Sequence, residues 1–200
     1  MAALPLFPLQ AVLFPGGLLR LKVFEARYLD LIGRCLRDNS PFGVMCLRQG
    51  SELRQAGSAA VQFERLGVLT QVQDVDAEQA GILKVNCIGA QRIDTRHAAQ
   101  RDDGLWQAEA TVLSDDAVLA PPPEHRAAVV ALAKAIEALR AQGQRPFIEP
   151  YRLNDAGWVA NRWCEILPIS LLAKHKLLAL DDPLIRLKLV ADFLHSKGLS

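Results

Sequence analysis

No Gly-Lys-Ser/Thr triplet occurs anywhere in the 200 residues. A phosphate-cradling loop needs that lysine behind glycine-rich backbone at a helix N-terminus, so ATP binding of this type is excluded. Cysteine is sparse, and Cys35, Cys46, Cys87 and Cys164 lack the close spacing of a zinc site or a CxxC redox pair. Set among apolar neighbours, they read as small buried hydrophobes of a reducing compartment. The histidines His97, His125, His175 and His195 lie far apart without HExxH or a similar helix-face pairing, so solvent-facing imidazoles, no metal and no other cofactor are expected. Neither charge dominates: 23 basic and 22 acidic residues give a net +1. No strong field draws a polyanion, and nucleic acid is not the expected ligand. The apolar opening has no basic n-region and is broken by Pro5, Pro8, Pro15, Gly16 and Gly17, which suits neither a signal peptide nor a membrane helix. A soluble cytoplasmic protein with no membrane partner is expected.

Half of the residues are hydrophobic, enough to bury a core, and their spacing changes along the chain. From Leu4 to about Val23 short apolar pieces alternate with prolines and glycines, which favours strands over helix. Tyr28, Leu29, Ile32, Cys35 and Leu36 then mark one face of a helix between Glu25 and Asp38. Residues 42–47 read as a buried strand. Further strand-like runs cover 59–66, 68–75, 82–88, 91–94 and 106–113, with breaks at Gly67, Gly81, Gly89 and Asp102-Asp103-Gly104. One helix among several short strands suggests a curved sheet or barrel. After Pro121-Pro122-Pro123 the pattern is helical: a stripe from Val129 to Leu139, a second behind Asn154-Asp155, a third capped by Ser170 and a fourth starting at Asp182-Pro183. The expected class is α+β, with a β-barrel subdomain over 1–118 and a helical bundle over 119–200.

Candidate chemistry meets structural alternatives at each position. Ser170 and Lys174 are close along one helix, but Ser170 sits at an N-cap and Lys174 beside His175 and Lys176 on a charged surface. Glu25 and Arg27 flank a helix start, where the acid suits the macrodipole and the arginine can tie helix to barrel. Tyr28 reads as a core anchor. Asp74, Asp76 and Glu78, and separately Asp102 and Asp103, read as solvated loop tips rather than acid–base pairs or a calcium site. Lys84, Arg92, Arg96 and Arg101 make at most a small basic cluster among acidic neighbours, thin support for RNA binding. One interface candidate remains. A 100° step per residue places Trp158 on the polar side of its helix with Asn161, Arg162 and Glu165. Trp158 and Arg162 are therefore a candidate protein-binding surface, unless Trp158 packs on residues 147–150. Phe7 and Phe14 divide similarly between barrel filling and an apolar groove.

In order and spacing, Leu4-Pro5-Leu6-Phe7-Pro8-Leu9, Val12-Leu13-Phe14-Pro15-Gly16 and Phe24-Glu25-Ala26-Arg27-Tyr28 resemble the opening signature of the Lon protease N-terminal domain family. Ala26 stands where the family usually has proline, a change of local stiffness. The likeness continues through Phe42-Gly43-Val44, Gly50-Ser51-Glu52, Gly57, Gly89-Ala90-Gln91-Arg92-Ile93 and the stretch from Pro168 to Leu178 with Arg186-Leu187. The resemblance implies a PUA-like β-barrel with one helix, then a helical bundle, in a stand-alone form without the ATPase and Ser-Lys peptidase of those proteases. It implies no catalysis and a role in holding unfolded or exposed polypeptide segments, by apolar contact and strand addition to a barrel edge, with a separately encoded protease or ATPase as a further partner. Pro15, Gly16, Glu25, Arg27 and Tyr28 are the signature residues, expected to be architectural. RNA binding, known among PUA-like folds, is the alternative.

Overall fold

The computed structural model describes residues 3–49 and 61–199. The sequence motifs at Gly50-Ser51-Glu52 and Gly57 lie outside them. Two compact units divide the chain, Met1–Ser114 and Asp115–Ser200.

In the first unit the proline-punctuated opening forms β1 (Leu4–Leu9) and β2 (Leu18–Val23), followed by α1 (Ala26–Asp38) and β3 (Phe42–Gln49). The next strands are longer than their sequence suggests: β4 spans Gln62–Gln79, β5 Ile82–Gln100 and β6 Trp106–Val112. Gly67 and Gly89 do not end strands, because each lies where another chain segment passes. A Cβ on Gly67 would meet Val44 O at 2.5 Å, and one on Gly89 would meet Phe14 O at 2.6 Å. Asp74 and Asp76, expected at loop tips, lie within β4, where Asp74 accepts a bond from Asn86 Nδ2 at 2.8 Å. Asp103 does occupy a turn, its Oδ1 accepting from Leu105 N at 2.9 Å.

The sheet order is β2-β5-β4-β3-β1-β6, with β5 also pairing β6. Hence β1, β3, β4, β5 and β6 form a closed ring, and closure removes their edges. Only β1 and β3 run parallel; the other pairs are antiparallel. Leu6, Met45, Ile93 and Ala108, all buried, pack together inside it. Outside the ring, β2 lies along the first half of β5, Leu18 opposite Ile88 and Val23 opposite Leu83.

The second unit holds a short 3-10 helix (Pro123–His125), α2 (Arg126–Ala141), α3 (Ala156–Ile166), α4 (Leu171–Leu178) and α5 (Pro183–Ser196). Its caps are the residues expected. Asp155 accepts from Gly157 N and Trp158 N, Ser170 from Ala173 N and Asp182 from Leu184 N. Trp163 Nε1 donates to Ala128 O at 3.0 Å, tying α3 to α2. Arg186, 1% exposed, holds α5 in place. Its guanidinium donates to Leu177 O at 2.9 Å, to Asn161 Oδ1 at 3.0 Å, to Leu180 O, and to both carboxylate oxygens of Asp116 at 2.5 and 3.3 Å. Among the described residues no helix is long and apolar enough to cross a membrane.

Candidate functional site

The signature residues assemble around one aromatic stack. Phe7 on β1 lies face to face with Tyr28 on α1, ring centroids 3.8 Å apart and planes within 7°. Arg27 covers the Tyr28 ring at 4.6 Å. The Glu25 carboxylate holds Arg27 at 3.0 Å, and Arg27 Nη1 donates to Gly104 O at 2.8 Å in the turn between β5 and β6. Glu25, Arg27 and Tyr28 thus fasten α1 to the barrel. Pro15 and Gly16 shape the connection ahead of β2. Gly16, at φ 72°, donates through its N–H to Gly89 O at 2.7 Å, and Gly17 O accepts from Gly89 N at 2.9 Å. Phe14, fully buried in this clamp, offers no surface, which corrects its assignment as a binding residue.

Trp158 and Arg162 are corrected likewise. Every residue from Ala156 to Cys164 is buried, because α3 is covered on all sides and has no polar face. Trp158 is 5% exposed, against Phe147 and Tyr151 at centroid distances of 6.1 and 6.0 Å. Arg162 is 0% exposed, with its guanidinium 5.7 Å from both the Phe147 and Trp158 rings and Nη2 2.8 Å from Glu165 Oε1. Lys174, expected on a charged surface, is half-buried and donates to Glu165 O at 3.0 Å.

Burial pushes the Glu165 carboxyl up to about 7, against the opposing pull of Arg162 and Lys174. The folded chain therefore holds this proton at pH values where the unfolded chain has released it. Stability from this group is fully present below about pH 4.5, is lost as pH rises towards 7 and is level beyond. Thermal melts between pH 5 and 8 should show that decline, and Glu165→Gln should flatten it.

The cysteines are all free and buried. Burial raises each thiol, Cys87 and Cys164 to about 12, so thiolate chemistry is disfavoured at neutral pH. Among the described residues, no group of three or more His, Cys, Asp or Glu could hold a metal ion. The suspected basic cluster does not form one surface. Arg92 is 5% exposed, Arg96 pairs with Asp94 at 3.5 Å, Arg101 pairs with Asp103 at 3.4 Å, and Lys84 stands opposite Asp76.

Two grooves on the first unit are lined by described residues. The larger, of 530 Å³, is lined by Phe63, Trp106, Arg48, Arg65, Arg96 and His97 among others. Glu64 matches its Arg48, Asp94 its Arg65 and Arg96, and Glu109 its His97. The second, of 340 Å³, runs along β2. Leu19 to Val23 form one wall, and Phe7, Leu9, Ala11, Phe24, Glu25 and Tyr28 complete the lining. β2 stands first in the sheet order, with β5 its only strand neighbour among the described residues. A strand side facing an apolar groove can accept another strand. Phe7 reaches this groove while remaining 6% exposed, and Phe24 stands at it 49% exposed. The β2 residues were not identified from sequence as a site, although the run Leu19-Arg20-Leu21-Lys22-Val23 carries the period-two alternation of a strand with two unlike faces.

Residues 3–196 match the family described as the ATP-dependent protease La (LON) substrate-binding domain. The chain is similar in structure to a Lon N-terminal domain protein from Xanthomonas campestris, at 31% identity and TM-score 0.73, covering 95% of this chain and 97% of that one. It shares its fold with the N-terminal domain of Mycobacterium avium complex Lon protease, at 15% identity and TM-score 0.64, covering 96% and 97% of the two chains. No curated protein matches it.

Proposed function

Since the chain belongs to the Lon substrate-binding domain family, we propose that it recognises polypeptide segments in extended form, seats them along β2 and performs no covalent chemistry on them. The observation that carries this reading is the groove along the β2 edge, with half-exposed Phe24 beside it. Main-chain hydrogen bonds to the edge would supply affinity for many sequences, and apolar side chains would enter between Phe24 and the Phe7–Tyr28 stack. The residues that suggested catalysis have structural duties: Ser170 caps α4, Lys174 holds a backbone carbonyl and Arg27 fastens α1. Bound clients would pass to an ATPase or protease partner.

A reduced, unfolded model protein titrated into the chain should bind saturably, with a dissociation constant of about 1–50 µM. Phe24→Ser should weaken binding by about tenfold through lost apolar contact, while leaving the melting temperature close to wild type. Absence of saturable binding at tens of micromolar would overturn the reading.

A further inference from the structure

The larger groove, independent of the reading given to β2, lies where β4 and β5 part. Their ladder ends at Leu66 opposite Asp94, although β4 begins at Gln62 and β5 continues to Gln100. A register shift between Arg96 and Ala99, with His97 at φ 51°, bends β5 there. The 530 Å³ groove occupies the gap. Phe63 and Arg65 line it from β4, Thr95 and Arg96 from β5, and Arg48 and Trp106 from the neighbouring strands. We propose that it binds a proline-rich segment of a partner polypeptide in polyproline II form.

Phe63 and Trp106 supply its aromatic surface. Their rings meet edge to face, centroids 5.3 Å apart at 84°, and both pack on the buried cluster of Leu6, Met45, Ile93 and Ala108. Rings fixed in this way lower the ordering cost of binding. The Trp106 Nε1–H is accessible and donates to nothing among the described residues. An aromatic surface with such a donor suits a chain of flat apolar rings separated by carbonyls.

The polar lining narrows the ligand further. The side chains of Arg48, Arg65 and Arg96 carry only donors, and no Asp or Glu lines the groove. Two main-chain carbonyls at the fork are already taken, Arg65 O by Thr95 Oγ1 at 2.8 Å and Thr95 O by Arg65 Nε at 3.3 Å. A ligand here must bring acceptors and few donors, and proline alone offers a main-chain carbonyl without an N–H. An anion suits the groove less well, because the arginines already have carboxylates. Glu64 stands 3.5 Å from Arg48, and Asp94 stands 2.7 and 3.5 Å from Arg65 and Arg96. An ordinary strand also suits it less well, since its N–H groups would meet donors and lose their bonds to water.

Three peptides of about ten residues, capped at both ends, test this on the full chain: all proline, proline alternating with alanine, and proline alternating with glutamate. The all-proline peptide should bind with a dissociation constant of about 10–200 µM, and the alanine peptide at least about fivefold more weakly. The glutamate peptide should bind no more tightly than the all-proline one, and about 0.5 M salt should change the all-proline affinity less than about twofold. In NMR spectra the indole N–H signal of Trp106 should move during the titration, while those of Trp158 and Trp163, in the other unit, stay in place. Phe24→Ser should leave this binding unchanged, which separates it from the groove along β2. Absence of binding, equal affinity for the alanine peptide, a stationary Trp106 signal or a matching loss in Phe24→Ser would each overturn the proposal. Tighter binding of the glutamate peptide, or loss of binding in salt, would make this an anion site instead and overturn it too. A chain dimer that the all-proline peptide dissociates would make residues 121–123 of a second copy the occupant, against a partner polypeptide.

Discussion

Replacing Arg186 by methionine is expected to lower the stability of the Asp115–Ser200 unit by about 3–5 kcal/mol, the usual cost of breaking a buried ion pair from one side. The side chain is 1% exposed, and its guanidinium serves Asp116, Asn161 and the carbonyls of Leu177 and Leu180. Methionine fills much of the volume and satisfies none of these acceptors. The Asp116 side chain keeps 17% exposure, so residual hydration of its carboxylate moderates the loss. Asp116→Asn combined with Arg186→Met should cost less than the two single losses added together, because the double change leaves no stranded charge. Urea unfolding followed by tryptophan fluorescence measures this, since Trp158 and Trp163 lie in this unit. A loss under about 1 kcal/mol would show that the network is not a main tie of α5.

Gly89→Ala is the second large effect, expected to cost about 3 kcal/mol, at the upper end for overpacking a close contact. The added methyl would stand 2.6 Å from Phe14 O and 3.0 Å from Leu13 Cγ, and the first is backbone that cannot rotate away. Phe14 could retreat only by opening the paired bonds between Gly89 and the Gly16-Gly17 turn. Gly81→Ala provides the contrast. Gly81 has φ 80° and nothing within 4 Å of an added Cβ, so backbone strain alone costs about 1–2 kcal/mol there. A loss for Gly89→Ala no larger than that for Gly81→Ala would show that the clamp yields easily.

The helices of the second unit were legible because Asp155, Ser170 and Asp182 announce their N-termini, and caps are local chemistry. What α3 packs against is not local. A 3.6-residue stripe identifies a helix with one wet side, and Asn161, Arg162 and Glu165 mimicked such a side although the helix is enclosed. Their polarity is absorbed by partners remote in sequence, including Arg186 for Asn161 and Phe147 for Arg162. In the first unit, Gly67 and Gly89 read as breaks because glycine punctuates turns, whereas here it makes room for a neighbouring backbone. The groove along β2 was least legible of all. It depends on β2 pairing with β5 some 65 residues later, and on which side of β2 stays outside the ring.

The closed ring has a consequence for how the polypeptide is assembled. β1 is the stave that joins β3 to β6, through Leu6 opposite Gly43 on one side and Leu4 opposite Ala108 on the other. β1, which is synthesised about a hundred residues ahead of β6, must therefore wait for it before the hoop can shut. Contacts of such wide separation carry a loop-closure penalty before they return any stability, which places refolding of this unit in the slow range, about milliseconds to seconds. During synthesis β1 remains an apolar strand without its second neighbour, and so the nascent domain passes through a state resembling the exposed segments it is proposed to hold.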